Sequence, residues 1–367
     1  MHCAIIQSAN ELIGAHVKAE ELERYFREGI DSMSATERRR AIEAVRGVIR
    51  TALFDDASAG VCEASCCPRC GSIAIVRKGR GRNGEQRWLC RDCGRTFCAR
   101  SERVLCASKL PKSTWMAYAE CFALALPLRE CAARCGVCLK TAYTMRHRVI
   151  ECLTAYAPTF TVERGCGCEL DETYFPESFK GNHTKGSFKM PRESRHRGKQ
   201  VHKRGLSKEQ VCVMSGVNDA GCAFFEVAGR GTLSREEAMS VLRERVRSGS
   251  IVSTDKASAY VETLAELGVA AHNAYDSRDR SRGTINRINS VHSQLDGFMS
   301  RFKGVSTKHL QAYLSWFRWR RAFASGGEGD AETVARQLSG GLCRTRTAEM
   351  FNVRPPLMGY WETRMAA

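Results

Sequence analysis

Three oxygen-bearing side chains lie in the settings from which a protein can hold divalent cations. Asp171 ends a strand-like run at 168–170, and Asp255 ends a second run at 251–254. Asn289 falls inside a helical stretch. Carboxylates at the ends of adjacent strands, faced by an oxygen donor on a helix, can hold two cations that stabilise the attacking and leaving oxygens of an in-line phosphoryl displacement. The spacing therefore predicts a two-metal phosphoryl-transfer site.

Two other acids compete with Asp171 for this role. Glu172 is its neighbour and should point to the opposite face of the strand, because side chains alternate along a strand. Asp219 lies in a turn signal at 218–221. A single strand-end aspartate is usually only solvated, but two in this order, followed by a polar helix stripe, weaken that alternative. The stripe has helical spacing and consists of Asn289, His292, Ser293 and Asp296.

The elements that must position these residues form an α/β pattern from about residue 165. Apolar runs predict strands at 167–174, 210–217, 222–227, 251–254 and 268–272. Helical periodicity predicts helices at 234–247, 257–267 and 285–302. This order is that of a ribonuclease-H-like core, a mixed sheet flanked by helices, over residues 165–323. A basic insertion at 180–208 separates the first two strands.

A pair of Cys-x-x-Cys knuckles lies upstream of this core. Two thiolates of each knuckle can bind one tetrahedral zinc, and the residues between the knuckles, 71–89, suffice for a short hairpin. We therefore predict a four-cysteine zinc ribbon over 61–105, although Cys62, Cys66 or Cys98 could compete as ligands. A redox pair or a coincidence is the alternative, which two matched knuckles without a surrounding βαβ pattern make weaker. The predicted zinc ligands are Cys67, Cys70, Cys90 and Cys93.

Helical patterns surround the ribbon. Residues 1–60 predict a helical extension, with a capping box at Ser34 and Glu37. Residues 106–160 predict a helix-turn-helix that binds DNA, with an ordinary helical hairpin as the alternative. Residues 324–367 are predicted only as a C-terminal tail. The side chains of the second helix predicted to contact DNA are Lys140, Thr141, Arg146 and Arg148.

The charge of the chain indicates a polyanionic partner. Its 367 residues suit two or three domains, and 57 Lys and Arg against 40 Asp and Glu give a net charge of +17. Ten basic residues and one glutamate lie between Lys180 and Lys208, so this insertion supplies about half of the excess. Nucleic acid is the commonest partner of such a chain. Within the insertion we predict DNA contacts from Lys199, Lys203 and Arg204.

The 19 cysteines point to a reducing compartment rather than to disulfides. The first residues lack the charged and apolar regions of a secretory signal, and no apolar run is long enough to span a bilayer. The thiols should therefore stay reduced and behave as small buried hydrophobes. We expect no membrane association, and a location in the cytoplasm or nucleoid of a bacterium or in the nucleus of a eukaryote.

These motifs together resemble the DDE-superfamily insertion-sequence transposases that carry an N-terminal zinc ribbon, relatives of the eukaryotic Merlin transposons. The matching segments are the two knuckles, 139–148, 170–175, 254–255 and, most specifically, 285–295 leading to 304–308. The resemblance covers about residues 60–323. It implies a metal triad of Asp171, Asp255 and Asn289, with Asn in place of the usual third Glu.

The resemblance also implies function. It predicts a transposase that binds the terminal inverted repeats of its element and catalyses strand cleavage and strand transfer with two Mg²⁺ or Mn²⁺ ions. The partners would be double-stranded DNA and further copies of the chain, in a homodimer or a larger assembly. One residue departs from the family, which has Lys seven residues after the Asn, where this chain has Asp296. The alternatives are a non-catalytic DNA-binding regulator from a decayed transposase and a ribonuclease-H-like nuclease without joining activity.

Overall fold

The computed structural model describes residues 24, 27–56, 64–81, 84–99, 101, 103–105, 108–181, 207–276, 285–324, 326–327 and 329–366. The chain divides into two compact units, Met1–Leu53 and Phe54–Ala367. Within the described ranges, no helix combines the length and the apolar character that crossing a membrane requires.

Helix α1 spans Ala35–Asp56. Its start is the predicted capping box: Glu37 Oε2 accepts from the Ser34 amide at 3.1 Å, and Ser34 Oγ accepts from the Glu37 amide at 3.4 Å. Two backbone donors that a helix start leaves unpaired are satisfied in this way. The predicted start of this helix is confirmed.

A three-stranded antiparallel sheet follows, with β1 at Ile75–Arg80, β2 at Gln86–Cys90 and β3 at Thr96–Cys98. The first two strands are the predicted hairpin between the knuckles. The third was not predicted. Among the described residues, the buried part of the hydrophobic cluster around this small sheet consists of Cys67, Cys90 and Phe97. So small an apolar cluster cannot stabilise a fold by burial alone, and a metal is the usual supplement.

Three helices precede the large sheet: α2 at Lys112–Ala123, α3 at Leu128–Arg134 and α4 at Leu139–Thr154. The large sheet contains β4 at Gly167–Pro176, β5 at Gln210–Asn218 and β6 at Ala223–Arg230. After α5 at Arg235–Leu242 come β7 at Ile251–Asp255, α6 at Ser258–Glu266 and β8 at Ala271–Tyr275. The remaining helices are α7 at Asn286–Ser300, α8 at Thr307–Phe323, α9 at Gly329–Gly340, α10 at Thr347–Phe351 and α11 at Gly359–Ala366.

The large sheet has the strand order β6-β5-β4-β7-β8. The first three strands are antiparallel, and β7 and β8 run parallel to β4. The predicted bounds of the last strand and of one helix were wrong: β8 spans Ala271–Tyr275 rather than 268–272, and α5 ends at Leu242 rather than near residue 247. Gly268 adopts the left-handed region with a φ of 70° at the end of α6, so the chain is still turning there.

The two faces of this sheet bury different helices. One face carries Leu170 and Met214 and packs with residues of α5 and α6. The other carries Val211 and Val213 and packs with residues of α7 and α8. The alternation of these buried positions explains why the strands are apolar on both faces. The prediction of a mixed sheet flanked by helices is confirmed.

The helices of the segment 106–160 share one continuous hydrophobic cluster with β5, α7 and α8, in which Phe122 of α2 stacks on Trp316 of α8 at 4.1 Å. The segment predicted only as a C-terminal tail contributes to the same cluster. Residues 324–367 contribute α9 to α11, and the side chains of Val334 and Leu338 are fully buried in the same cluster. Both segments carry apolar stripes that only the sheet-side helices can cover.

Candidate active site and metal centres

The acidic residues predicted at the strand ends lie together. The parallel ladder between β4 and β7 ends at Glu169 and Ser253, so Asp171 and Asp255 stand two residues beyond the last pair on each strand. Carboxylate oxygens of Asp171, Glu172 and Asp255 all lie within 4.8 Å of one another, and all three residues are half-buried. The strands that carry the two aspartates are adjacent, and Asp255 ends β7 as predicted, whereas Asp171 lies in the middle of β4, which continues to Pro176.

The expectation that Glu172 points away from this site was wrong. Strand alternation does direct it towards the face that buries Leu170, where Tyr260 of α6 is its neighbour. However, the ladder to β7 has already ended at Glu169, so β4 is paired at this level only with β5, and its β7 side is open. A side chain as long as glutamate therefore reaches the same point as Asp171.

The electrostatics of this cluster favour a bound cation. Burial, with the charge of Asp255, raises the pKa of Asp171 to about 7. Burial also raises the pKa of Glu172 to about 7, and the charges of Asp255 and Asp171 act in the same direction. A divalent cation would offset this repulsion and favour the ionised carboxylates. Oxygen donors of this kind suit Mg²⁺ or Mn²⁺.

The described part of the chain leaves a polar atom at the centre of this cluster without a partner. Glu172 Oε1 is buried there and makes no hydrogen bond to any described group. A buried carboxylate oxygen without a partner costs free energy unless a ligand supplies the missing interaction. The donor set therefore fits a hard divalent cation.

Helix α7 is fixed against β4 at two points. Glu169 Oε2 accepts from the Ile288 amide at 2.9 Å, and Glu169 Oε1 accepts from Arg287 Nε at 3.0 Å. One turn further along the helix, His292 Nδ1 lies 3.5 Å from Asp171 Oδ2, and its Nε2 lies 2.6 Å from Ser215 Oγ. Sequence reasoning placed His292 on the polar stripe but assigned it no contact with Asp171.

Asn289 lies on the same stripe, three residues before His292, and is exposed. Residues three apart on a helix share a face, so Asn289 is on the side of α7 that meets β4. No described contact joins its side chain to the acidic cluster. Asp296 is exposed one turn beyond His292. The helix contact that the structure brings to Asp171 is therefore His292.

Asp219, the other competing acid, has a separate structural role. Its Oδ2 accepts from the Gly167 amide at 2.6 Å, and its Oδ1 accepts from Arg287 Nη1 at 2.9 Å. The Gly167 amide, followed by Arg287, lowers the pKa of this carboxyl. These contacts hold the start of β4, away from the residues that form the acidic cluster.

The four predicted zinc ligands converge. The sulfurs of Cys67 and Cys93 are 3.6 Å apart, as are those of Cys70 and Cys90, and all four sulfurs lie within 4.8 Å of one another. Backbone N–H groups of Cys93 and Asp92 lower the pKa of Cys90 to about 7, which favours its thiolate. Four thiolates at one point are the ligand set of a structural zinc.

The knuckles are built alike. In each, the amide after the second cysteine donates to the carbonyl of the first, from Gly71 to Cys67 at 2.9 Å and from Gly94 to Cys90 at 3.0 Å. Both glycines have φ near 70°, which side chains rarely allow. Of the possible competing ligands, Cys66 and Cys98 are not in the cluster, and Cys62 lies outside the described residues.

The prediction that Arg146 contacts DNA was wrong, because its side chain is fully buried. Arg146 Nε donates to the Tyr118 hydroxyl at 3.1 Å, and its Nη2 donates to the Leu126 carbonyl at 2.7 Å. Its guanidinium also lies 4.7 Å from the ring centre of Trp316. Arg146 therefore links α2, the turn before α3, and α8 inside the core.

The other predicted DNA contacts divide into three groups. Lys140 is exposed at the start of α4, above the Phe351 ring at 5.3 Å. Thr141 is half-buried against the Cys138 thiol, and Arg148 is half-buried with Nη1 donating to the Val104 carbonyl at 3.4 Å. Within the basic insertion, the predicted contacts Lys199, Lys203 and Arg204 lie outside the described residues.

Comparison with known proteins yields two family matches and a relative. Residues 167–322 match the model described as an ISXO2-like transposase domain, and residues 64–94 match the InsA N-terminal domain. An uncharacterized protein in transposable element ISH50 of Halobacterium salinarum is 26% identical over 276 residues, which cover 73% of this chain and 89% of that protein. The match to the crystal structure of a pre-cleavage Mos1 transpososome covers 64% of this chain and 81% of the matched chain, at 12% identity and a TM-score of 0.19. A likeness at that score does not establish a shared fold.

Proposed function

We propose that this chain, which carries an ISXO2-like transposase domain behind an InsA N-terminal domain, binds the terminal inverted repeats of its element and catalyses metal-dependent DNA strand cleavage and strand transfer. The observation that carries the proposal is the convergence of Asp171, in β4, and Asp255, at the end of β7, inside the matched domain. Two divalent cations at such a site would stabilise the attacking and leaving oxygens of a phosphoryl transfer.

The topology supports a ribonuclease-H-like core. Three antiparallel strands are followed by two parallel strands on the other side of β4, and α7 crosses the face on which Asp171 lies. In open sheets with parallel strands, ligands bind beyond the carboxyl ends of the strands. Asp171 and Asp255 are at that edge, and we assign Asn289 as the neutral oxygen donor from α7.

The roles of the protein groups follow from their contacts. Asp171 and Asp255 would hold the cations, and Glu169 would keep α7 in register by capping its start. His292 would orient Asp171, since it lies between that carboxylate and Ser215. None of these residues needs to form a covalent bond with DNA, because water or a 3′-hydroxyl can serve as the nucleophile of both steps.

DNA binding is proposed for three surfaces of the chain. One is the basic insertion with Lys199, Lys203 and Arg204. The second is the exposed start of α4 at Lys140, the part of the predicted helix-turn-helix that remains accessible. The third is the ribbon, whose exposed basic residues include Arg77, Lys78, Arg80 and Arg87. Bringing two element ends together would require a homodimer or a larger assembly.

The test uses a supercoiled plasmid that carries the coding sequence with its natural flanks. In Mg²⁺ or Mn²⁺, the wild-type chain should release strands at the element ends and join them to a second plasmid. Asp171→Ala and Asp255→Ala should lose cleavage and keep end binding. The control is Asp276→Asn, because Asp276 follows the next strand and pairs with Lys256 at 3.1 Å, outside the cluster.

Each alternative has its own outcome in this assay. Undiminished nicking by Asp171→Ala or Asp255→Ala would contradict the assignment of the site. End binding without cleavage by the wild-type chain would indicate a DNA-binding regulator. Cleavage without joined products would indicate a nuclease.

A further inference from the structure

The hydroxyl of Tyr260 is a buried polar group for which the proposed function has no role. Tyr260 lies on α6 with none of its surface exposed. Burial raises the pKa of its hydroxyl, and the charges of Glu172, Asp171 and Asp255, in that order, act in the same direction. Among the described residues, the Tyr260 hydroxyl and Glu172 Oε1 each lack a hydrogen bond of standard geometry, yet the two side chains are close enough for the hydroxyl to lower the pKa of the Glu172 carboxyl.

A polar atom left without a partner in a protein interior is costly, so a buried hydroxyl and a carboxylate that lie side by side are expected to interact. A hydroxyl can donate to a carboxylate, and the other carboxylate oxygen can then bind a cation. Groups that hold a metal-binding carboxylate from behind are a regular part of metal sites. Glu172 and Tyr260 therefore have the chemistry of a metal ligand and of the group that positions it.

We propose that Glu172 is a cation ligand of the active site, alongside Asp171 and Asp255, and that Tyr260 is the positioning residue that holds its carboxylate. The inference rests on the proposed function and refines it, since the site would then offer three carboxylates. Asn289 contributes no charge and lies on an exposed turn of α7, whereas Glu172 is already within 4.8 Å of both aspartates.

The location of Glu172 explains how a residue next to Asp171 can take part. On a paired strand, adjacent side chains point to opposite faces and cannot share a ligand. Here β4 remains paired with β5 but has no partner on its β7 side after Glu169, so the two faces can meet along that open side. Tyr260 on α6 lies beside Glu172 on the face that buries Leu170, and His292 on α7 lies beside Asp171 on the other face.

Binding of Mn²⁺, followed by electron paramagnetic resonance of the free ion, tests the proposal without any reaction. The full-length, zinc-loaded chain is titrated as wild type and as Glu172→Gln, Tyr260→Phe, Asp171→Asn and the control Asp276→Asn. We expect Glu172→Gln to weaken the site by about 10- to 100-fold and Tyr260→Phe by about 10-fold. Asp276→Asn should bind as the wild type does.

Tyr260→Phe keeps the buried ring and removes only the hydroxyl, so it tests the idea even if Glu172→Gln does not fold. A purely structural hydroxyl would leave the Mn²⁺ titration unchanged. Wild-type Mn²⁺ affinity in Glu172→Gln, with binding lost in Asp171→Asn, would overturn the role of Glu172 and leave the proposed function standing. Wild-type affinity in Tyr260→Phe alone would overturn the positioning role. Wild-type affinity in Asp171→Asn would contradict the proposed function itself.

Discussion

Substitution of the buried Arg146 tests whether this residue of α4 has a structural role or contacts DNA. Substitution by alanine removes the donor to the Leu126 carbonyl at 2.7 Å and the donor to the Tyr313 hydroxyl at 3.2 Å. Each buried acceptor left without a donor costs about 1–3 kcal/mol. The emptied volume beside Trp316 adds a cavity, and the loss of a buried cation offsets part of the sum. We expect Arg146→Ala to lower the free energy of unfolding by about 3–5 kcal/mol.

The matched control is Lys140→Ala, at the exposed start of the same helix. Its only described side-chain contact is with the Phe351 ring at 5.3 Å, and an exposed contact of this kind contributes about 0.5–1 kcal/mol. Urea denaturation followed by circular dichroism compares the stability of the two variants. DNA binding is then measured at several salt concentrations on the protein that remains folded.

A structural role and a DNA-contact role of Arg146 predict opposite results in these two measurements. A lost phosphate contact lowers the slope of log K against log salt by about 0.9. We expect that change in Lys140→Ala and not in folded Arg146→Ala. Wild-type stability in Arg146→Ala, together with a reduced salt slope, would refute the structural role of the guanidinium.

Two further predictions concern the other parts of the fold. Removal of zinc by a chelator should unfold the ribbon alone, because the buried part of its hydrophobic cluster, as far as the structure describes it, consists of Cys67, Cys90 and Phe97; hydrogen exchange should accelerate at β1–β3 and not at β4–β5, and equal protection with and without zinc would contradict this. Glu177→Gln should destabilise the chain by about 3–5 kcal/mol, because its buried carboxylate pairs with Arg230 and accepts from Trp361 Nε1 at 2.7 Å. Urea denaturation measures this, with Trp361→Phe as the milder comparison, and an unchanged midpoint for Glu177→Gln would exclude a structural ion pair.

The strands and the zinc ligands could be predicted from the sequence, because local patterns determine them. Four of the five large-sheet strands start within one residue of their predicted positions. The knuckles encode their own geometry, since a Cys-x-x-Cys turn ending in Gly71 or Gly94 needs no distant partner. The helix starts at Ser34 and Ser234 are equally local, and each forms a capping box.

Arg146 could have been placed correctly from periodicity. The buried residues of α4 recur at helical spacing, and Arg146 falls directly on that stripe. Its residue type suggested a phosphate contact, whereas its position indicated the core. The sequence alone did not show which groups accept hydrogen bonds from Arg146, because Tyr118 and Tyr313 lie on the distant helices α2 and α8. Buried arginine depends on such distant partners. The stripe consists of Ala142, Met145, Arg146, Val149, Ile150 and Leu153.

The acidic site shows the same division between local pattern and tertiary contact. Alternation along β4 assigns Glu169 and Asp171 to the face of α7, and both do contact that helix. It assigns Glu172 to the other face. The backbone does direct the side chain to that face, but the carboxylate nevertheless reaches the acidic cluster. The difference arises because β4 extends beyond the end of its ladder with β7, and that length is set by the pairing of β4 with β5 up to Pro176. The side of β4 that is left open beyond its parallel neighbour is therefore where acids from both faces can meet.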